Sequence, residues 1–330
     1  YTEGGKVGRL VNNWDKKNQY RGWTTLREAI ARSMNIVAVK TITDVTPTVA
    51  IDYLLRFGFT SLQLEGANSD YGQALALGGL TNGVSNLELT AAYAGIANGG
   101  AYNSPKMYSK VVDNDGNVIL DNTVSEPTQV ISEQNAWLLI DCMKDVVTGA
   151  GGTSSAAKIS NMTTAGKSGT TSENRDVWFV GMSPYYTAGI WAGYDNNHKL
   201  NSKSGETNYH KKIWKAVMSR IHEGLSDPGF PKPASVTSAT VCGVCDGMVK
   251  TEYFAEGTVP TEYCDVHVTG EACVESGALA TDACPVHEFR VITLVPENNS
   301  VSGSPLVAKP CSLHPGNVIG SVVQPTGNGR

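Results

Sequence analysis

The segment Asp227-Pro228-Gly229-Phe230-Pro231-Lys232-Pro233 sets the first limit on what this chain can fold into. Three prolines in seven residues cannot continue a helix or supply a run of ladder N–H groups, so the chain is expected to divide here: a domain over 1–226, a linker over 227–233 and an extension over 234–330. The cysteines divide the same way. Cys142 stands alone before the prolines, whereas Cys242, Cys245, Cys264, Cys273, Cys284 and Cys311 crowd the region after them. Six cysteines in a small Gly/Pro-rich segment point to disulfides and an oxidising compartment, with Cys273 paired to Cys284 around Gly277 and Cys264 to Cys242 or Cys245. A zinc ribbon is the alternative, because Cys242-x-x-Cys245 and Cys264-x-x-His267 have ligand spacing. Thr261–His267 and Thr281–His287 form a loose repeat of period 20, and Cys311-Ser312-Leu313-His314 is a third Cys-x-x-His. The extension reads as a short β-rich module.

Before the prolines, helical signals come first and strand signals later. Thr25-Leu26-Arg27-Glu28 and Ser85-Asn86-Leu87-Glu88 are capping boxes, and Ser132 opens a third apolar-periodic run. Helices are expected after Thr25, over 47–57 with Gly58 as the stop, from Ser85 through Ala97, and over 132–147, with residues 1–22 as loop. The last has Trp137, Leu138, Ile140, Cys142, Met143 and Val146 for its core. Ala74–Gly79 reads as a buried tight turn, and Asp113-Asn114-Asp115-Gly116 as the turn of a hairpin. Val177–Gly181 and Thr187–Tyr194 are rich in aromatic and β-branched residues and read as central antiparallel strands. Tyr209–Gly224 reads as a closing helix with Ile213, Trp214, Val217, Met218 and Ile221 on one side. Helices layered on an antiparallel sheet, the α+β class, fit this order.

Bulk properties exclude some functions. Apolar residues are 41% of the 330, enough for a core, while charged residues are 17% and the net charge is −5. With no basic run or basic–aromatic interleaving, nucleic acid is not an expected partner. No apolar run approaches the ~18 residues of a membrane span. Tyr1-Thr2-Glu3-Gly4-Gly5 is neither a signal peptide nor an initiator methionine, so the chain reads as a mature or excised fragment.

Two stretches carry chemistry. Ala165-Gly166-Lys167-Ser168-Gly169-Thr170-Thr171-Ser172 combines a lysine, glycines and hydroxyls. As a strand edge it would suit a peptide carboxylate, the lysine supplying charge and the hydroxyls and N–H groups holding the anion; as a bare Gly-Ser-Thr run it would be a loop. Ser33-Met34-Asn35 lies 134 residues earlier. Residues two apart point nearly opposite ways on a continuous helix, so Ser33 and Asn35 can serve one site only if the helix breaks between them. Otherwise Ser33 ends one helix and Asn35 caps the next.

Together these stretches resemble two of the three signatures of penicillin-binding proteins, Ser-x-Asn and Lys-Thr/Ser-Gly on a strand; a Ser-x-x-Lys nucleophile is the third. Tyr20–Ile30 leading into Ser33–Lys40, Leu89–Ala94 with Asn98-Gly99-Gly100, and Trp178-Phe179-Val180-Gly181 with Trp191-Ala192-Gly193-Tyr194 resemble the bifunctional, class A members. The resemblance covers roughly residues 7–225, and the extension resembles, less specifically, the Cys-containing tails of some Gram-positive members. It implies the penicillin-binding/serine β-lactamase-like transpeptidase fold, working on the extracytoplasmic face of the bacterial membrane. It implies a D,D-transpeptidase that cross-links peptidoglycan stem peptides ending in D-Ala-D-Ala through a serine acyl-enzyme and is trapped by β-lactams, with no cofactor and no metal in the catalytic site. By the same resemblance Ser33 relays a proton, Asn35 holds the substrate amide, and Lys167 sustains positive potential. The Ser168 and Thr170 hydroxyls hold the carboxylate, the Thr170 N–H donates to the oxyanion, Gly169 lets substrate lie against the strand, and Thr171 completes the substrate-binding set.

The third signature is where the sequence departs. No serine occurs before Ser33, and Ser155-Ala156-Ala157-Lys158 has the spacing but lies in a Gly-Ser stretch instead of at the start of a buried helix. The chain therefore reads as a transpeptidase domain cut downstream of its nucleophile, unable to acylate alone, with glycosyltransferase domain and membrane anchor upstream. The alternatives are a D,D-carboxypeptidase or β-lactamase on the same scaffold, or a non-catalytic wall-binding protein.

Overall fold

Thr25, Ser85 and Ser132 each end an extended segment and begin a helix, their hydroxyls accepting the backbone N–H of Glu28, Glu88 and Asn135. At Ser85 the box is reciprocal: the Glu88 carboxylate takes the Ser85 N–H at 3.0 Å. A computed structural model describes residues 2–3, 6–7, 10–15, 22, 24–124, 126–242, 249–260, 266–298 and 305–323. They fall into two compact units, Tyr1–Pro233 and Ala234–Arg330.

In the first unit the helices are α1 (Leu26–Ala31), α2 (Asn35–Val45), α3 (Pro47–Arg56), α4 (Asn86–Ala97), α5 (Glu133–Thr148) and α6 (Tyr209–Ile221). Short pairs β1 (Thr2–Glu3) with β2 (Lys6–Val7), β3 (Ala101–Tyr102) with β6 (Thr128–Gln129), and β4 (Lys110–Val112) with β5 (Val118–Asp121) flank them. The last pair is the hairpin that the Asp113–Gly116 turn announces. β7 (Ala165–Thr170), β8 (Asp176–Met182) and β9 (Thr187–Gly193) form one antiparallel sheet in that order, so β7 lies at an edge. Its register sets Lys167 opposite Val180, Ser168 opposite Phe179 and Gly169 opposite Trp178.

Side chains alternate along β8. Phe179 meets Trp214 of α6 edge-on, 5.1 Å between ring centroids, and the indole N–H donates to Ala188 O at 2.8 Å. Met182, on the opposite face, joins Ala165 and the α5 residues Ile140 and Met143. α5 and α6 thus clamp the sheet from its two sides. A Cβ on Gly181 would lie 2.5 Å from the Trp214 ring, so that glycine is a packing requirement.

Several expectations change in detail. Residues 2–3 pair antiparallel with residues 6–7 where loop is expected. The Ala74–Gly79 turn is a 3₁₀ turn over Gln73–Leu77 with no buried residue. Leu138 and Cys142 are half-buried, and Asp141 is buried in their place because it sits between Arg27 and Lys144. On α6 the buried row is His210, Trp214 and Met218. Ile213, Val217 and Ile221, one residue out of phase with that row, are 46%, 50% and 45% exposed. The Pro-rich segment lies against the first unit: Asp227 accepts from Thr163 N–H and Oγ1 at 2.8 and 2.7 Å, and Phe230 O from the Trp137 indole at 3.1 Å.

The described strands of the second unit form antiparallel pairs: β10 (Val236–Cys242) with β11 (Val249–Ala255), β12 (His267–Cys273) with β13 (His287–Thr293), and β14 (Val295–Pro296) with β15 (Leu306–Val307). Val268, Ala272, Leu279 and Ile292 form its apolar core. Cys273, Cys284 and Cys311 are buried free thiols, which corrects the expected Cys273–Cys284 disulfide. The Cys242 side chain, Cys245 and Cys264 lie outside the described residues, and with them the other expected pairing.

Candidate active site

The helix does break at Ser33. α1 stops at Ala31, Ser33 takes φ 55°, and α2 begins at Asn35. A serine in the left-handed region carries strain that its surroundings must hold. Here Ser33 N–H donates to Ile30 O and Met34 N–H to Ala29 O, while Arg32 O accepts the Trp14 indole N–H at 2.8 Å. The buried Asn13 accepts the Ile36 N–H at 3.1 Å, tying down the first turn of α2. The run Ile36–Val39 is helical, and the break falls just ahead of it.

That corner faces β7. Lys167 Nζ donates to Ser33 Oγ at 2.7 Å and to Ser168 O at 2.9 Å, closing a contact between residues 134 apart in sequence. Burial, followed by repulsion from Lys211, brings the pKa of Lys167 down to about 8. Lys211 is itself lowered by burial and donates to Thr153 O at 2.9 Å. Thr153 in turn shares a 3.3 Å hydroxyl contact with Ser168 and donates its N–H to Ala31 O. One residue thus joins the end of α1, the β7 hydroxyl and the second lysine.

The remaining candidates sit as follows. Thr170 is exposed at the end of β7. A Cβ on Gly169 would come no closer than 3.4 Å, to Trp178 Cβ, so packing does not demand a glycine there. Thr171 Oγ1 accepts from Asp176 N–H at 2.8 Å and contacts Asp176 Oδ2 at 3.1 Å, so that hydroxyl works within the β7–β8 turn. Asn35 opens α2, and its amide donates to Asn12 O at 2.9 Å. The structure therefore joins Ser33, Lys167 and Ser168 directly, with Asn35 two residues along the same corner. Ser155 and Lys158 are both exposed.

Sequence reasoning passed over Thr153, Lys211 and Asn13. Thr153 follows a Gly-rich stretch that reads as flexible, and Lys211 is one of two adjacent lysines on an amphipathic helix. Neither carries a local signal; only the tertiary fold brings them to β7.

The described arrangement offers a lysine whose pKa is lowered to about 8, a hydroxyl hydrogen-bonded to it, and a hydroxyl-bearing sheet edge. Such a set can pass a proton through Ser33 and attract an anion to the edge.

A family model described as the penicillin binding protein transpeptidase domain matches residues 2–219, and one described as the penicillin-binding protein 1A C-terminal domain matches residues 232–269. Penicillin-binding protein 1A of Clostridium botulinum (strain Hall) is 33% identical over 291 residues, covering 84% of this chain and 34% of the relative. That of Clostridium tetani is 33% identical over 285 residues, covering 79% and 36%. The chain thus spans about a third of the length of the curated relatives it matches. Among solved structures, penicillin-binding protein 1A from Haemophilus influenzae aligns with a TM-score of 0.64 at 20% identity, over 79% of this chain and 44% of that one. PonA1 from Mycobacterium tuberculosis in complex with penicillin V gives 0.59 at 24% identity, over 66% and 61%. These two share the α+β fold described above. On the match over residues 2–219, this chain belongs to the penicillin-binding protein transpeptidase domain family.

Proposed function

We propose that the first unit supplies the carboxylate-holding and proton-relay half of a D,D-transpeptidase site acting on peptidoglycan stem peptides outside the cytoplasmic membrane. The observation that carries this is the Lys167–Ser33 hydrogen bond, which sets the lysine of the strand edge against the serine of the broken helix. In this reading the terminal carboxylate of D-Ala-D-Ala lies along β7, against the Ser168 and Thr170 hydroxyls and the Lys167 charge. Gly169, which packing leaves free of any need to be glycine, keeps that edge open to the peptide backbone. Thr170 N–H donates to the oxyanion, a contribution of about 3–4 kcal/mol where such donors have been removed elsewhere. Asn35 holds the substrate amide. Thr171, engaged with Asp176, fixes the end of the strand. Ser33 carries a proton between the attacking hydroxyl and the leaving nitrogen.

Ser33 serves as relay in this scheme, and Ser155–Lys158 is exposed at both ends. The acylating Ser-x-x-Lys is therefore assigned to sequence outside these 330 residues, and the chain by itself binds β-lactams without being acylated. A direct test is incubation with benzylpenicillin, denaturation and intact-mass measurement. No added mass is expected. A stoichiometric adduct mapped to Ser33 or Ser155 would overturn the assignment of roles. In parallel, an acyl-D-Ala-D-Ala peptide should shift the NMR resonances of Lys167 and the β7 amides, and its C-terminal amide should not; equal shifts from both would sink the carboxylate site.

A further inference from the structure

The buried thiols of the second unit meet at one point. The Sγ atoms of Cys273, Cys284 and Cys311 and a ring nitrogen of His314 all lie within 4.8 Å of one another. Cys273 ends β12, Cys284 follows the Thr281 turn, and Cys311 and His314 belong to the loop after Pro310, so three separate stretches of chain supply the four groups. His314 Nδ1 is 3.5 Å from both Cys273 Sγ and Cys311 Sγ. A tetrahedral zinc ion with Zn–S of about 2.3 Å and Zn–N of about 2.0–2.1 Å requires ligand–ligand edges of roughly 3.6–3.8 Å. The two His314–sulfur separations match such an edge, and no pair among the four atoms is more than 4.8 Å apart.

The surroundings are those of a ligand sphere. Ser276 Oγ donates to Cys311 Sγ at 3.2 Å and Thr281 N–H to Cys284 Sγ at 3.3 Å. Hydrogen bonds from N–H and O–H groups stabilise sulfur that carries charge. The other ring nitrogen of His314 lies 3.6 Å from Glu275 Oε2, within reach of the carboxylate–histidine pairing found at metal sites. The three cysteines are buried. A disulfide could join only two of three mutually adjacent sulfurs and would give the histidine no role.

We propose that Cys273, Cys284, Cys311 and His314 form a closed tetrahedral Cys₃His site for a soft divalent ion of the zinc type, stapling three separate stretches of the second unit together. Binding replaces three S–H bonds by three metal–sulfur bonds and releases three protons to solvent. With four protein ligands and no open position, the site is structural and not catalytic. It differs from the Cys242–Cys245–Cys264–His267 set that spacing alone suggests, of which His267 lies in β12, paired opposite Thr293. It also places a metal in the molecule, although the lysine strand needs none.

The test uses the whole chain, purified without chelator both from a reducing cytosol and from an oxidising periplasm. Metal is measured by elemental analysis, and thiols by alkylation under denaturing, non-reducing conditions. The site predicts that Cys311→Ser and His314→Ala each lose one metal equivalent relative to the parent, whereas Cys142→Ser loses none. Cobalt exchanged for zinc should give the intense visible bands of tetrahedral thiolate coordination, weakened in both site variants. Zinc restored after chelation should recover the cobalt-free fold and the protection of the three thiols. Unchanged metal content in Cys311→Ser would overturn the proposal, as would a metal-free parent whose peptide map shows a disulfide between any two of the three cysteines.

Discussion

At the scale of single residues, Lys167 decides how the site behaves with pH. Its folded pKa of about 8 is below the free-lysine value of 10.5, with burial the first cause and Lys211 the second. Between those two values the unfolded chain binds more protons than the folded one, so stability rises with pH across the window from about 8 to 10.5. Below pH 8 the charged lysine is buried at a cost that the fold must carry. NMR of the Lys167 side chain should therefore show a midpoint near 8, moving upward in Lys211→Met as the repulsion is removed. Carboxylate ligand should also weaken as pH rises through the midpoint. The sequence makes Lys167, Ser168 and the Ser33–Asn35 corner conspicuous because each belongs to a dense local pattern. Thr153 and Lys211 belong to none, and their places follow from packing between elements far apart in the chain.

Among elements, α5 organises the first unit. Arg27 of α1 pairs with Asp141 at 2.5 Å and Asp145 at 3.1 Å, and Lys144 pairs with the same Asp141 at 2.5 Å. This holds α1, and hence the Ser33 corner, on α5. Arg27→Ala should lower stability by about 1.5–3 kcal/mol, the worth of hydrogen bonds to a charged group, and should loosen the Lys167–Ser33 contact. Thermal unfolding and the Lys167 resonance read the two effects separately. At the start of α4, burial pushes the Glu88 pKa up, but hydrogen bonds from Thr60 and Ser85 outweigh it and hold the carboxyl at about 2. That stability is present above the ordinary value of 4.5 and lost as pH falls toward 2. Glu88→Gln should therefore flatten the acid-unfolding profile in that window. Helix starts were legible because Ser/Thr-x-x-Glu and Ser132 satisfy backbone donors locally. The facing of α6 was not, since Ile213, Val217 and Ile221 continue its apolar pattern one step beyond the row that Trp214 and Met218 bury.

For the whole molecule, the division at Pro233 and Ala234 predicts two unfolding steps in calorimetry. Removal of metal should move only the step of the second unit, and Arg27→Ala only that of the first. Composition sets the cysteine-rich part apart, and the second unit begins at Ala234, directly after the prolines. Composition could not tell a disulfide from a metal staple, because both need the same residue type at similar spacing. The facts that favour the metal reading are three-dimensional: three sulfurs meeting beside a histidine ring nitrogen, with a carboxylate 3.6 Å from the other ring nitrogen.

The 134-residue separation of Ser33 and Lys167 also fixes when the site can exist. During synthesis at about 5–20 residues per second, Ser33 leaves the ribosome on the order of 10 s before the strand it depends on. Until β7 has emerged and docked, the positive-φ corner lacks the lysine that occupies its serine. Assembly of this site is a late event in the life of the nascent chain, and any helper that shields half-made domains meets the corner before the strand.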